Sequence, residues 1–578
     1  MTPKGEHLFP ELNKARYGEA RQLRTLFLPS LLEQESHDQR LKDADQDLAY
    51  EIIRKWADIE SSGKLDQMKE TSIKGEFCKE IFGDALGYTL FADNKEKWNF
   101  RQEYSVNRGQ ADAAIGIFGI GKKDLVRALI ELKGPKANVD KDRSNGRTPV
   151  QQCWDYLIEI PECPWGIVCN YVSFRLYHRD QTPRVYELFT LQELRKKEKF
   201  LQFYYLFEKG GLIPPTPRAD SLLEKCLTRQ RQVGDELYAR YHDERLRLIT
   251  HLCGDEWNFP LDKSIRIAQK LLDRIIFVAF CAERGLLPKQ SLLKAWRDIP
   301  PFRKVTNPKW QNFLELFRSI NEGNDKLEPP IPPYDGELFK KDPDVDDLQL
   351  DDDWTDFFKA VGDYDFAHTV NVDVLGHIFE KSINDIEKIR LMGLAGIEVA
   401  EKQKPKMVKS AERKKGGIYY TPPDFTKFIA DNTVGKIAEE RIKVLERDFG
   451  IHLDQIDAKI EKDRITAFAQ RAIEELREIK VVDPACGSGA FLIQAYGVLE
   501  DKYVELIDVL AIHEPELADE LRNKVSDIIL TDNIFGVDLS PEAVEITQLA
   551  LWLRTASKRK TLADLSKNMV VPHDIGIR

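Results

Sequence analysis

The 578-residue chain contains no run of about 18 apolar residues, so no segment is expected to span a bilayer. Its opening stretch, MTPKGEHLFPELNKARYGEA, lacks the apolar core of a secretory signal. Cysteine is scarce: there are 8, none in a C-x-x-C pair, which speaks against a zinc site or a disulfide framework. A reduced, cytoplasmic protein is the expectation. The G-x-G-x-x-G dinucleotide fingerprint is also missing, and no internal repeat is visible. Basic residues are in deficit, 86 Lys and Arg against 97 Asp and Glu, for a net charge of −11. That balance does not exclude a nucleic-acid partner, because phosphate binding depends on local basic surface. Acid is concentrated at 340–354, whereas the stretch around 178–200 is basic.

With 42% hydrophobic residues the chain has ample material for cores, and its length predicts three or four units at about 150 residues each. The pattern divides as follows. Residues 1–65 read as a helical N-terminal extension. Residues 66–210 are mixed α/β, running from a helix at 74–88 through strand-like pieces to the apolar run WGIVCNYVSFRLYH. Residues 211–410 read as a helical connector, with 264–287 as its clearest buried helix and a proline-rich loop at 328–339. The charged stretch 401–417 predicts a flexible link. Residues 411–578 then hold strand–loop–helix blocks.

In the mixed region, LVRALIELK reads as a buried strand, and alternation puts Glu131 and Lys133 on one face. Asp112 ends an adjoining strand-like piece, across the hairpin-like turn GIFGIGKKD. Two carboxylates and a lysine at a sheet edge suit Mg²⁺, which takes hard oxygen ligands and activates water beside a phosphate. These residue types are common, and a solvated edge strand would also carry them. The order of the neighbouring pieces says more. Glu76 on the preceding helix, then Asp112, Glu131-Leu132-Lys133-Gly134 and Pro149-Val150-Gln151-Gln152-Cys153-Trp154-Asp155-Tyr156 resemble the PD-(D/E)XK nuclease at the front of type IIG restriction enzymes. The resemblance implies that Asp112 and Glu131 ligate metal, that Lys133 serves catalysis, and that Gln152 is an accessory polar residue.

The segment KVVDPACGSGAFLIQAYGVL is the most informative. A short strand, Lys480 to Val482, runs into Asp483-Pro484-Ala485-Cys486-Gly487-Ser488-Gly489 and then an apolar helix. Glycines let backbone N–H groups approach a ligand, and the new helix turns its positive end toward a carboxylate. Asp483 at the strand end suits a cationic amine. Downstream, NIFGVDLSPEAVEITQLALWL repeats the strand–acid–helix pattern, with Asp538 placed to accept from ribose hydroxyls. The first segment resembles motif I of adenine-specific DNA methyltransferases and the second their motif II. Gly416-Gly417-Ile418-Tyr419-Tyr420-Thr421-Pro422 resembles their motif X, against which the methionine end of the cofactor packs. By that resemblance Tyr419, Tyr420, Thr421, Pro422, Asp483, Pro484, Ala485, Gly487, Gly489 and Asp538 form an S-adenosylmethionine site.

The implied fold class is α/β: a PD-(D/E)XK nuclease domain, a helical spacer, and the N-terminal part of a Rossmann-like S-adenosylmethionine-dependent methyltransferase. The implied function is restriction–modification of double-stranded DNA, with Mg²⁺ and S-adenosylmethionine as cofactors and no membrane partner. Such enzymes continue past motif II to Asn-Pro-Pro-Tyr, which grips a flipped adenine. No Asn-Pro-Pro-aromatic occurs in this sequence, and Ile331-Pro332-Pro333-Tyr334 lacks the amide and reads as a loop. The expectation is therefore an incomplete methyltransferase domain, with a second polypeptide carrying the rest and the target-recognition domain. The alternatives are a cofactor-sensing or DNA-binding subunit of a split system, or an inactive gene fragment.

Overall fold

The computed structural model describes residues 25–37, 44–392 apart from a few short breaks, 423–453, 456, 461–556 and 569–570. It is a mixed helix and sheet protein whose residues fall into two compact units. One holds residues 1–229 and 452–459; the other holds 230–451 and 460–578.

The first unit is built on one six-stranded sheet in sequential order. Helices α1 (Ala44–Ser61) and α2 (Glu70–Phe77) precede β1 (Lys97–Val106), β2 (Gly109–Gly119) and β3 (Leu125–Leu132). Helix α3 (Pro149–Glu159) then crosses to β4 (Trp165–Cys169), followed by β5 (Ser173–His178), β6 (Tyr186–Thr190) and α4 (Lys197–Phe207). Every neighbouring pair is antiparallel except β3 and β4, which the α3 crossover makes parallel. Residues Ala128–Leu132 of the central strand β3 are buried without alternation, because both sheet faces are covered. Helix α3 starts where its sequence directs. Thr148 Oγ1 accepts from Gln151 N–H, Gln151 Oε1 accepts from Thr148 N–H, and proline occupies the first turn.

The apolar run 165–178 is the hairpin of β4 and β5. Asn170 Oδ1 accepts from Ser173 N–H and Oγ–H, and Tyr171 takes a left-handed φ of 66° to close the turn. The helix predicted at 74–88 starts earlier, at Glu70, and after Phe77 passes into a π-helical stretch, Cys78–Ala85, which buries Cys78, Ile81, Phe82 and Ala85.

The second unit is largely helical. It contains α5 (Arg218–Cys253, from residue 230 onward), α6 (Leu261–Glu283), α7 (Pro308–Glu322) and α8 (Val372–Met392). It also contains α9 (Lys462–Arg477), β7 (Val481–Asp483), α10 (Ala490–Leu510), β8 (Ile534–Val537), α11 (Pro541–Ala556) and β9 (Met569–Val570). The three strands form a parallel sheet in the order β7-β8-β9. One buried apolar cluster joins residues of α5–α8 to Ala543, Ile546, Leu549, Trp552 and Leu553 of α11. Trp552 lies 4.3 Å from Phe277 and 5.9 Å from Tyr334, ring centre to ring centre, so the tyrosine of the proline-rich loop is a core residue. Among the described residues no helix is long and apolar enough to cross a membrane.

A buried polar knot sits in this helical core. Gln269 Nε2 donates to both Asp273 oxygens at 2.8 and 2.9 Å and to Tyr241 Oη at 2.7 Å, while Tyr241 donates to Asp273 at 3.2 Å. Burial pushes the Asp273 carboxyl up to about 7, against the pull of its hydrogen bonds. The folded state therefore keeps a proton that the unfolded chain releases near pH 4. Stability is expected to fall as pH rises from about 4 to about 7, and Asp273→Asn should flatten that slope; parallel urea-midpoint profiles of the two proteins would reveal no such effect if Asp273 is ionised throughout.

Candidate functional site

Two constellations emerge, one in each unit. In the first, Asp112 lies near the start of β2 rather than at a strand end. Because β2 runs antiparallel to β3, with Ala113 opposite Ile130, the beginning of β2 stands beside the end of β3. Asp112 and Glu131 thereby come together one step past that pair. Lys133, just beyond β3, is fixed by its N–H donating to Cys169 O of β4 at 2.9 Å. Its ammonium donates to Glu131 Oε1 and lies 3.8 Å from Asp112 Oδ2. Leu132 N–H donates to Asp112 Oδ2 at 2.9 Å. Glu131 is only 2% exposed, and a carboxylate so buried needs a nearby cation to compensate it.

A residue absent from the expectations completes this cluster. Lys74 on α2 donates to Asp112 Oδ1 at 2.6 Å. Its burial works to lower its pKa, but the Asp112 hydrogen bond and charge prevail and raise it, so it stays an ammonium. Glu76, expected on this helix, is exposed. Two residues along a helix are a rotation of about 200°, so the turn that aims Lys74 inward aims Glu76 outward. The signal was the spacing from Lys74 to the buried Cys78, one helical turn on.

Gln152 is engaged elsewhere: its amide donates to Ser144 O at 3.1 Å and Arg147 O at 3.4 Å, tying the loop before α3. One turn further, Tyr156 Oη donates to Gln110 O at 3.2 Å. Burial, reinforced by the charges of Glu131 and Asp112, pushes its phenol far above the usual range, so it acts as a neutral donor. Among the described residues no three His, Cys, Asp or Glu side chains converge as a metal-binding group. The pair Asp112 and Glu131 nevertheless fits Mg²⁺, an ion that usually takes one or two carboxylates and keeps its remaining positions for water and phosphate oxygen.

In the second unit β7 ends at Asp483, and the chain turns through Pro484, Ala485 and Cys486 into Gly487-Ser488-Gly489 before α10. Cys486 N–H donates to Val537 O of β8 at 2.9 Å, pinning the turn to the neighbouring strand. Burial pushes the Cys486 thiol up to about 12, so its part is packing rather than nucleophilic chemistry. Gly487 has φ 53°, and a Cβ there would meet nothing within 4 Å, so this backbone faces open space. Gly489, with φ 80°, is held differently: a Cβ would come 2.9 Å from Thr547 Cγ2 of α11. Thr547 also donates to Gly487 O at 2.7 Å, a clamp the sequence signals only as a hydroxyl in an apolar helix.

Asp538 follows β8 and reaches back to the turn. Gly487 N–H donates to its Oδ2 and Ser540 N–H to its Oδ1, both at 2.9 Å. A carboxylate has about four acceptor positions, so these bonds leave capacity for a ligand's hydroxyls. Asp483 accepts from Ala485 N–H at 3.1 Å, and burial with the charge of Asp538 raises its pKa. A carboxyl so placed gains from a cationic neighbour. The start of α10 has no side-chain cap and no acidic residue in its first turn, so its backbone N–H groups suit a negatively charged ligand. Leu539, 84% exposed, adds an apolar surface beside Asp538. Tyr419, Tyr420, Thr421 and Pro422 lie outside the described residues.

Residues 457–572 match the family described as MmeI, DNA-methyltransferase domain. The chain is similar to a type II restriction enzyme and methyltransferase of Methanocaldococcus jannaschii, 25% identical over 477 residues, which are 67% of this chain and 36% of that protein. An adenine-specific methyltransferase of Escherichia coli is 28% identical over 175 residues, 29% of this chain and 14% of its own length. A type II restriction enzyme and methyltransferase of Escherichia coli is 21% identical over 332 residues, 56% of this chain and 27% of the relative. This chain thus spans about a third of the first relative, 36%. With a methyltransferase match in its C-terminal part and restriction enzymes aligned over much of its length, the chain is similar to type II restriction–modification enzymes.

Proposed function

We propose that this chain cleaves duplex DNA with the Asp112 cluster and holds S-adenosylmethionine at the glycine turn for adenine-specific methylation. The observation that carries the reading is the turn itself. An open glycine backbone lies between two strand-end carboxylates at the start of a helix, inside the residues that match a DNA-methyltransferase family. Asp483 is suited to the ammonium of the methionine part and Asp538 to the ribose hydroxyls. The N-terminus of α10 is suited to the carboxylate, and Tyr419–Pro422 to the methionine end. Pro484 and Ala485 shape the exposed lip.

In this reading the first unit is a PD-(D/E)XK nuclease and the second contains the first part of a Rossmann-like methyltransferase. Asp112 and Glu131 hold Mg²⁺, which when bound supplies activated water and offsets charge on the phosphate. Lys133, beside Glu131, orients that water or stabilises the pentavalent phosphorus. Lys74 and Lys133 balance the two carboxylates when no ion is present. Gln152 acts indirectly by ordering the loop after β3. The groups that grip a flipped adenine are proposed to lie outside these 578 residues, on a further segment or a second polypeptide.

Calorimetric titration with S-adenosylmethionine tests the reading. Saturable binding is expected, and Asp483→Ala should weaken it about tenfold or more, the loss of one charge-assisted contact. Equal affinity in the two proteins would remove the glycine turn from cofactor binding.

A further inference from the structure

The carboxylate at the centre of the glycine turn is the end of a longer chain of bonds. Asp538 Oδ1 accepts from Ser540 N–H, and Ser540 Oγ caps α11 by accepting from Ala543 N–H at 3.2 Å. The same hydroxyl donates to Glu542 Oε2 at 2.9 Å. Glu542 is 4% exposed and receives both ends of one guanidinium: Arg390 Nη1 reaches Oε2 at 3.1 Å and Nη2 reaches Oε1 at 2.5 Å. Arg390 belongs to α8, in the helical region, and its Nε donates to Asp262 of α6 at 3.0 Å. A bidentate guanidinium fixes the plane of the carboxylate it holds. Glu542 so fixed offers Ser540 one acceptor position, and Ser540 in turn sets the rotamer of Asp538 that receives Gly487 N–H.

Two further contacts make α11 the shared element. One side carries Trp552 and Ile546 into the core formed with α5–α8, and the other carries Thr547 against Gly487 and Gly489. The glycine turn is thus backed by a helix whose own position is set by the helical region.

We propose that Arg390 is a positioning residue for the adenosyl cofactor, acting through Glu542 and Ser540 on Asp538, so that the helical region is a working part of the cofactor site. The proposal rests on the assignment of the glycine turn and Asp538 to S-adenosylmethionine. Removing the guanidinium leaves a buried carboxylate without its counter-charge. Glu542 then takes up a proton or turns toward solvent, and in either state it no longer orients Ser540.

The test is a calorimetric double-mutant cycle on the full chain with S-adenosylmethionine as titrant, using Arg390→Gln, Glu542→Gln and the pair together. Each single variant should bind about tenfold more weakly, within the ordinary range of site-to-site coupling, and the double variant no more weakly than either single one. Arg390→Lys, which keeps the charge but not the fork, should fall between wild type and Arg390→Gln. Asp538→Ala monitors the site itself. Wild-type affinity in Arg390→Gln, with binding lost in Asp538→Ala, overturns the proposal alone; strictly additive losses overturn it as well. Wild-type affinity in Asp538→Ala overturns the cofactor assignment and the proposal with it. Should Arg390→Gln lower the melting temperature of the chain, the nearly isosteric Glu542→Gln carries the test, and unchanged affinity there overturns the proposal.

Discussion

Asp112→Asn is expected to reduce Mg²⁺-dependent cleavage of duplex DNA about a thousandfold, while leaving the six-stranded sheet intact. The magnitude follows from what the carboxylate is proposed to do. An ion that offsets charge on a phosphate is worth several kcal/mol, and each 1.36 kcal/mol is a factor of ten in rate, so about 4 kcal/mol gives roughly that loss. The amide keeps the side chain's shape and can still accept from Leu132 N–H, the bond that Asp112 now receives at 2.9 Å. What it loses is the charge that pairs with Lys74 and would hold the cation. Lys133→Ala should fall as far in rate for a different reason, because it removes the ammonium beside Glu131 that is proposed to orient the attacking water or stabilise the pentavalent phosphorus. The two variants separate in Mn²⁺ titrations: Asp112→Asn should need much more metal, whereas Lys133→Ala should not. Cleavage at the wild-type rate by Asp112→Asn would remove this cluster from the reaction.

The sequence carried the parts of each site that are local. Glu131 and Lys133 share a face because a strand alternates, and the glycine turn reads directly because its residues are contiguous. What it did not carry depends on phase or on distance. Lys74 and Glu76 differ by a helical rotation that a stretch passing into a π-helix does not advertise. Gln152 looked like an active-site amide, but its amide donates to the Ser144 and Arg147 carbonyls of the loop before α3, which also accept each other's N–H. The Arg390–Glu542 pair joins residues 152 positions apart, and no local pattern marks either one. The helical region was legible as helices. Its share of α11 was not, because Trp552 and Ile546 look the same from the sequence whether they face a sheet or a helical core.

Asp140→Ala should cost about 3–5 kcal/mol in the first unit, the usual penalty for removing one partner of a buried ion pair. Arg175 on β5 is 1% exposed and accepts this carboxylate as a fork partner, donating from Nη1 to Oδ1 at 2.9 Å and from Nη2 to Oδ2 at 2.8 Å. The guanidinium also lies 4.6 Å over the Tyr186 ring and is 1% exposed, so removing Asp140 leaves a buried charge without its fork partner. The pair matters to the site through the sheet. Glu131, Val168 and Arg175 stand in one row across β3, β4 and β5, and cross-strand partners share a face. Asp140 belongs to the loop that leaves β3 after Lys133, and its bond to Arg175 draws that loop onto the face that carries Glu131. Hydrogen exchange of peptides from β4 to β6 reads this unit alone, and a loss of about 3–5 kcal/mol should speed it by roughly two to four powers of ten. Exchange unchanged in Asp140→Ala would mean that Arg175 finds another anion. If the pair contributes geometry more than energy, Asp140→Leu combined with Arg175→Met should recover most of the stability and still cut DNA slowly, because an apolar contact holds the loop near the sheet without fixing its register over Glu131 and Lys133.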